Sequence, residues 1–177
     1  TGSGTSVPIR IRPRSPESLV FCGWRVVKVF HGSPTSLEAG TRLTSRGAAY
    51  ERDWSGTAFY AALERWRPDG CFPHRSAVFG CAAEEDVDCA GGATDYLCEI
   101  EVDASRVTWH DLNWCSLVSC LVADGHAIDS SEVREAALAY WSGEPHPDES
   151  VWECLAPEAV VCTCEPWEAP ATSAKFG

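Results

Sequence analysis

The sequence predicts an α+β fold with mainly antiparallel sheets, built as a single domain. Candidate strands bracket candidate helices without the regular β-α-β alternation that a parallel doubly wound sheet requires. At 177 residues, with 45% hydrophobic residues and eight tryptophans, the chain is long enough and apolar enough to bury a core of its own. It contains neither the glycine motif of a Rossmann fold nor that of a P-loop, so any dinucleotide is expected to bind in another way.

The first strand is predicted over residues 26–30, an apolar run that leads His31 into the turn formers Gly32, Ser33 and Pro34. His31 is therefore expected at the end of a strand. There the backbone of Gly32 would be free of the sheet hydrogen bonds, and a flat amide-bearing ligand could approach it closely. A purely structural histidine is the alternative interpretation.

The next elements follow from hydrophobic periodicity and from turn formers. Phe59, Leu63 and Trp66 recur at helical spacing among alanines, and Pro68 ends this pattern. The elements predicted in this part are a loop over 37–47 with a bend at Gly40, a helix over 55–66, a strand over 76–81 and a solvated acidic helix or loop over 84–88.

The second half of the chain predicts three strands and one helix. Residues 96–102 alternate apolar and polar side chains, which is typical of a half-buried strand. The clearest helix covers 129–141, with Asp129 as its N-cap and Glu132 completing a capping box. Its apolar stripe is predicted to consist of Val133, Ala136, Ala137 and Tyr140. Two further strands are predicted over 151–157 and 159–162, while 107–114 is ambiguous, with a turn over 111–114.

The ends of the chain and its charge limit the partners. We expect a cloning remnant and an extended lead-in over 1–16, one domain over 17–165 and a flexible tail over 166–177. No apolar run is long enough to span a membrane, so no membrane partner is expected. A formal net charge of −12 argues against general nucleic-acid binding, which needs a basic face.

Ten cysteines are spaced irregularly and contain no C-x-x-C pair, which argues against a structural zinc site. We expect no metal and mainly buried free thiols, although the even number leaves disulfides open. The expected location is cytoplasmic. Paired cysteines would instead indicate a protein that is secreted or delivered into a target cell.

One segment carries a family resemblance. The segment contains Phe30-His31-Gly32-Ser33, followed by Leu37, Gly40 and Leu43. Over about 20 residues it resembles the first motif of ADP-ribosyltransferases of the histidine class, most of all that of the short bacterial enzymes that modify rifamycins. The resemblance implies an ADP-ribosyltransferase-like fold, in which two mainly antiparallel sheets form a central cleft with flanking helices. It also implies that His31, Gly32 and Ser33 bind NAD, the glycine through its backbone.

Glu153 resembles the strand-borne catalytic glutamate of that family. Cleavage of the bond between nicotinamide and ribose passes through a transition state like an oxocarbenium ion, which a carboxylate at the ribose hydroxyls stabilises. A solvent-facing acid on a strand is the alternative. Arginine-modifying members have a second Glu or Gln two residues earlier, and here that residue is Val151. The acceptor is therefore expected to be a small molecule, a non-arginine group of a protein, a nucleobase or water.

The chain departs from the family where a tyrosine normally stacks on the nicotinamide. Residues 77–80 contain no tyrosine, and Phe79 is expected to stack in its place. An arginine is expected to clamp the pyrophosphate with paired hydrogen bonds. Arg75 is the first candidate for this role, with Arg42 and Arg46 as alternatives. Tyr60 and Trp54 are the alternatives to Phe79 as the stacking ring, and Ser76 is a further cofactor-binding candidate.

Three functions remain open at this point. The first is an NAD-dependent mono-ADP-ribosyltransferase, a toxin or a modifying enzyme, which becomes an NAD glycohydrolase when water is the acceptor. The second is an NAD-dependent RNA 2′-phosphotransferase-like enzyme, which the negative charge disfavours. The third is a non-catalytic cysteine-rich binding domain, in which His31 and Glu153 play no chemical part.

Overall fold

The computed structural model describes residues 19–21, 24–89 and 94–167. These residues form an α+β fold, as the sequence predicts. The strands are β1 (Leu19–Phe21), β2 (Trp24–Ser33), β3 (Arg42–Thr44), β4 (Val78–Cys81), β5 (Tyr96–Asp103), β6 (Thr108–Asp111), β7 (Trp152–Ala156) and β8 (Glu158–Pro166). The helices are α1 (Ala48–Trp54), α2 (Ala58–Arg65), α3 (Leu112–Ala123) and α4 (Ser131–Ser142), with 3₁₀ turns at His74–Ser76 and Glu84–Asp86.

All strand pairings are antiparallel, and they form one curled sheet instead of the two separate sheets predicted. Seven strands follow the order β3-β8-β5-β2-β4-β7-β6, and β1 pairs with β2 outside this path. β2 pairs with β5 over eight residues but meets β4 in a single register pair, Phe30 with Cys81, within the described residues. The sheet stays continuous because this one pair joins its two halves.

The core consists of two buried clusters. One lies on the curled sheet and receives residues from both halves: Val27, Val29, Val78, Cys98, Ile100, Val102, Cys154, Ala156, Ala159 and Val161. The other lies under the helices: Ala62, Leu63, Ala77, Val118, Val133, Ala136, Ala137, Tyr140, Trp141 and Leu155. Cys154 and Leu155 are neighbours on β7 but belong to different clusters, because side chains alternate across a strand. Glu153 therefore points to the helical side.

Close packing at the junction of the two halves depends on Gly80. A Cβ atom placed there would lie 2.6 Å from Cγ2 of Val29. Val29 is fully buried, so its side chain has no room to move aside. Only glycine lets β4 approach β2 this closely, and this approach sets the distance between His31 on β2 and Phe79 on β4.

Several predicted element boundaries were wrong. The loop predicted over 37–47 contains β3, whose three residues pair with β8. The helix predicted over 55–66 begins only after Thr57, whose side chain accepts the Tyr60 N–H. A separate short helix, α1, precedes it and was not predicted.

The second half required similar corrections. The turn predicted over 111–114 is the start of α3, with Asp111 as its N-cap. The cap of α4 is Ser130 instead of Asp129, since the Ser130 hydroxyl accepts the Val133 N–H. Strand β8 continues to Pro166, so residue 166 belongs to the sheet and not to the predicted tail.

The predicted lead-in over 1–16 and the tail over 168–177 lie outside the described residues. Among the helices that the structure describes, none has the length and apolar character needed to cross a membrane.

Cys98 and Cys164 lie directly opposite each other on β5 and β8, at disulfide distance, with their Cα atoms 3.9 Å apart. The expectation of mainly free thiols therefore does not hold for this pair. Seven other described cysteines are unpaired: Cys71, Cys81, Cys89, Cys115, Cys120, Cys154 and Cys162. Of these, Cys81 and Cys154 are buried as expected, whereas Cys89 and Cys120 are exposed.

We expect alkylation of the unfolded protein without reductant to label these seven cysteines and to leave Cys98 and Cys164 unlabelled. The two sulfurs protect each other because the strand register already brings them together. Peptide mass spectrometry gives the result directly, and adding reductant before alkylation should label both. Full labelling of Cys98 and Cys164 without reductant would show that the pair is not bonded.

Candidate active site

A cavity of about 570 Å³ opens beside the junction of β2 and β4. Residues from β2, α1, β4, α3 and β7 line it, so elements distant in sequence meet there. Four of the residues singled out from the sequence lie in its wall: His31, Gly32, Phe79 and Glu153. The structure therefore brings the histidine motif and the glutamate into one cleft, although they are more than a hundred residues apart in the chain.

His31 is held in one orientation by the backbone of β4. Its Nδ1–H donates to the Phe79 carbonyl oxygen at 2.9 Å, since a carbonyl can only accept. Burial lowers the pKa of His31, so the ring is neutral near pH 7. The neutral ring then offers Nε2 as a hydrogen-bond acceptor for a ligand in the cavity.

Gly32 is not free of the sheet as predicted. Strand β2 continues past His31, and Gly32 pairs in register with Leu97 of β5. The strand persists because β5 is long enough to pair with it as far as Ser33. On its other edge, toward β4, the register pairing of the described residues ends at Phe30. Gly32 lines the cavity beyond this point, so its lack of a side chain keeps the wall open.

Glu153 is a buried acid on β7, between β4 and β6, and only 3% of it is exposed. Its Oε1 accepts the hydroxyl proton of Tyr140 at 2.7 Å. Its Oε2 has no hydrogen-bond partner among the described residues. No side-chain nitrogen or oxygen of these residues is both inaccessible and without a hydrogen bond, so Oε2 must be accessible. Because Glu153 lines the cavity, we infer that Oε2 is accessible from it. Burial raises the pKa of Glu153 to about 7, against the lowering effect of the Tyr140 hydrogen bond.

A line of hydrogen bonds continues behind Glu153. The Tyr140 hydroxyl lies 2.8 Å from Nε2 of His74, and Nδ1 of His74 lies 3.2 Å from the Tyr50 hydroxyl. Burial lowers the pKa of His74 to about 3, so this ring is neutral. Tyr50 lines the same cavity as Glu153, which means that both ends of the line reach the cleft.

Aromatic side chains form part of the cavity wall. Tyr50 stacks on Phe79 with ring centroids 5.5 Å apart and planes at 19°. Trp54 and Phe59 also line the cavity, in edge-on contact with each other. A planar ring ligand would find apolar faces of this kind favourable. Phe79, the predicted stacking residue, lines the cavity, and the adjacent Tyr50 adds a hydroxyl that Phe79 lacks.

Five predicted cofactor residues do not line the cavity. Ser33 is buried and its hydroxyl closes a turn with the backbone of Thr35. Arg42 on β3 pairs with Glu158, and Arg75 pairs with Glu51, both on the exposed surface. Tyr60 contacts the edge of Tyr50 behind the wall, and Ser76 is exposed.

Among the arginines that the structure describes, Arg46, the alternative phosphate ligand, lines the cavity. It forms an ion pair with Asp53, and its side chain is 61% exposed. The guanidinium therefore retains access to solvent and to a ligand at the cavity mouth.

Sequence reasoning missed Tyr50, His74 and Tyr140 as parts of the site. Tyr140 was assigned to the apolar stripe of its helix, where it does lie. A fully buried tyrosine hydroxyl needs a polar partner, and this need was the available signal that an acid or histidine lies nearby. For His74 and Tyr50 no comparable local signal exists.

Within the described ranges, no group of three or more histidine, cysteine, aspartate or glutamate side chains is placed to hold a metal ion. Comparison of the sequence with protein-family models finds no matching family, and comparison with curated proteins finds no match. The chemistry of the cavity is therefore the basis for inferring function.

Proposed function

We propose that the protein is an NAD-dependent mono-ADP-ribosyltransferase with an ADP-ribosyltransferase-like fold. The observation that carries the proposal is that one cavity is lined by His31, Gly32 and a buried Glu153. The curled antiparallel sheet and its four helices are compatible with that fold. The aromatic wall formed by Tyr50 and Phe79 adds a surface for the nicotinamide ring.

In the proposed reaction NAD is the substrate that donates ADP-ribose. The bond between C1 of ribose and the nicotinamide nitrogen breaks, and its electron pair leaves with nicotinamide. Positive charge then develops on the ribose, and the ionised Glu153 stabilises it electrostatically from a buried position. An acceptor oxygen or nitrogen forms the new bond to C1 and loses its proton to Glu153 or to water.

The other cavity residues bind and orient the substrate. We assign Nε2 of His31 as an acceptor for a ribose hydroxyl, because Nδ1 is already committed to Phe79. Gly32 provides a wall without a side chain against the nicotinamide amide. Arg46 is the guanidinium best placed for the phosphates at the mouth of the cavity.

The acceptor is proposed to be a group other than arginine. Val151, two residues before Glu153, has an apolar side chain, and its backbone N–H donates to the buried Asp111 at 3.2 Å. Neither part of Val151 can orient or deprotonate a guanidinium. A hydroxyl, a nucleobase or water fits this site better.

The direct test is incubation with NAD that carries a label in the nicotinamide ring. Release of free nicotinamide by the parent protein, with or without an added acceptor, supports the proposal. A parent protein that binds NAD but releases no nicotinamide above the buffer rate would instead be a non-catalytic binding domain.

Substitution of Gly32 by Val should weaken NAD binding by roughly tenfold or more, because a branched side chain would occupy the cavity next to His31. Valine suits a strand, so the fold should tolerate the change. Calorimetric titration with NAD measures the effect. Gly56→Val is the matched control, since a Cβ atom at Gly56 meets no atom within 4 Å. An unchanged NAD affinity in Gly32→Val would contradict the assignment of this wall.

A further inference from the structure

The line of hydrogen bonds behind Glu153 joins four elements that are separate in sequence. Tyr50 belongs to α1, His74 to a 3₁₀ turn, Tyr140 to α4 and Glu153 to β7. Tyr140 and His74 are buried, with exposed fractions of 0% and 3%, so bulk water does not replace their hydrogen bonds. The three contacts measure 3.2, 2.8 and 2.7 Å from Tyr50 to Glu153.

The direction of every proton in this line follows from the acid at its end. An ionised carboxylate can only accept hydrogen bonds, so the Tyr140 hydroxyl donates its single proton to Oε1 of Glu153. The Tyr140 oxygen must then accept from Nε2–H of His74. A neutral imidazole has one proton, so Nδ1 of His74 is an acceptor and the Tyr50 hydroxyl donates to it.

We propose that His74 is a positioning residue for Glu153, and that Tyr50 fixes the tautomer of His74 that this role requires. With the proton on Nε2, His74 donates to the Tyr140 oxygen, so the Tyr140 hydroxyl donates to Oε1 of Glu153. Oε2 then remains available to a ligand in the cavity. With the proton on Nδ1, His74 would accept the Tyr140 proton itself, and Glu153 would lose its donor. The tautomer of one buried histidine thus sets the hydrogen bonding of the acid.

Aligned hydrogen bonds polarise one another, so a line that points to the carboxylate stabilises its ionised form. This matters because burial alone favours the protonated acid. Glu153 is buried apart from its access to the cavity, and the line supplies its hydrogen-bond donor within the described residues. The inference rests on the proposed function for its catalytic meaning, because the proposed reaction needs an ionised Glu153.

Other titratable groups surround Glu153 on every side. They are Cys81 on β4, His110 on β6, Cys154 on β7, Cys115 on α3, Tyr140 on α4, and Tyr50, His31 and Arg46 across the cavity. Burial lowers the pKa of His31 and of His110. It raises the pKa of the Cys81, Cys115 and Cys154 thiols and of both tyrosines. The titration of Glu153 is therefore followed at its own carboxyl group.

The experiment is an NMR titration without NAD, with ¹³C at the glutamate carboxyl groups and ¹⁵N in the histidine rings. The parent should show His74 protonated at Nε2 only. In Tyr50→Phe and in His74→Leu the pKa of Glu153 should rise, by up to about one pH unit when the line is cut. His74→Gln retains a donor and an acceptor in one side chain, so its Glu153 should titrate near the parent value. Tyr96→Phe, which alters a tyrosine outside the cavity, is the control.

A proton on Nδ1 of His74 in the parent would overturn the proposal, as would an unchanged pKa of Glu153 in Tyr50→Phe. His74→Leu removes a buried side chain and is the variant at risk of misfolding. Tyr50→Phe keeps the ring stacked on Phe79, so this variant tests the proposal even if His74→Leu does not fold. Since NAD is absent, a parent that releases no nicotinamide would contradict the proposed function and leave this result unaffected.

Discussion

Replacement of Glu153 by Gln should reduce NAD turnover by roughly 10²-fold or more while leaving NAD affinity within a few fold. Glutamine keeps the shape of the side chain and an oxygen that can accept from Tyr140, but it has no charge. The ground state loses little, because NAD contacts the rest of the cavity as before. The transition state loses the carboxylate that stabilises its positive ribose. Nicotinamide release and a calorimetric NAD titration measure the two quantities separately.

The stability of this variant provides its control. The pKa of Glu153 is raised by burial to about 7, so the folded state binds a proton more tightly than the unfolded state does. This contribution to stability is full below the unfolded pKa, declines as pH rises toward 7 and is lost above it. At pH 8 the neutral glutamine avoids the loss, so Glu153→Gln should melt no lower than the parent. Turnover at the parent rate would instead show Glu153 to be a buried structural acid.

Substitution of Asp111 by Ala should lower the free energy of unfolding by about 3 kcal/mol or more. Asp111 is fully buried, and its carboxylate accepts three backbone N–H groups, from Asn113, His146 and Val151, at 2.8 to 3.2 Å. Alanine leaves all three donors without this partner and removes the cap of α3. Urea unfolding followed by tryptophan fluorescence measures the loss.

Asp111→Asn is the matched variant. Its Oδ1 still accepts from Asn113 and Val151, and only the bond to His146 is lost. We therefore expect the asparagine variant to lie between alanine and the parent in stability. A loss below about 1 kcal/mol in Asp111→Ala would mean that water or neighbouring groups satisfy these donors.

The parts of the fold with strong local periodicity could be predicted from the sequence. The alternation over residues 96–102 corresponds to β5, and the apolar stripe over 129–141 corresponds to α4. Helix α3 was missed because it combines two β-branched residues with two serines and two cysteines, which are weak helix formers. Its cap, Asp111, was interpreted as part of a turn, because capping aspartates and turn aspartates look alike in sequence.

The residues of the candidate site likewise differ in how far the sequence could predict them. His31 and Glu153 could be singled out because each stands in a short segment with its own chemistry. The Tyr50–His74–Tyr140 line could not, since it joins residues from three elements that carry no shared motif. Its successive members are 24 and 66 residues apart in the chain, and Tyr140 is 13 residues from Glu153, so only tertiary packing brings them together.

For a related reason, the sequence could not indicate which arginine lies at the cavity. Arg42 and Arg75 were chosen for their nearness in sequence to the histidine loop and to the strand that follows. In the structure each pairs with a surface glutamate, and Arg46 reaches the cavity instead. Which arginine faces a cleft depends on how β3, α1 and the 3₁₀ turn at His74–Ser76 pack, and sequence spacing does not report this.

The most direct measurement of the central claim is a crystal structure of the Glu153→Gln variant with NAD, in which turnover should be too slow to destroy the ligand. We expect the nicotinamide beside Gly32 and against the ring of Phe79 or Tyr50, a ribose hydroxyl near His31, and the ribose C1 facing residue 153. An empty cavity at saturating NAD, or NAD bound at another surface, would contradict the assignment of this cavity as an ADP-ribosyltransferase active site.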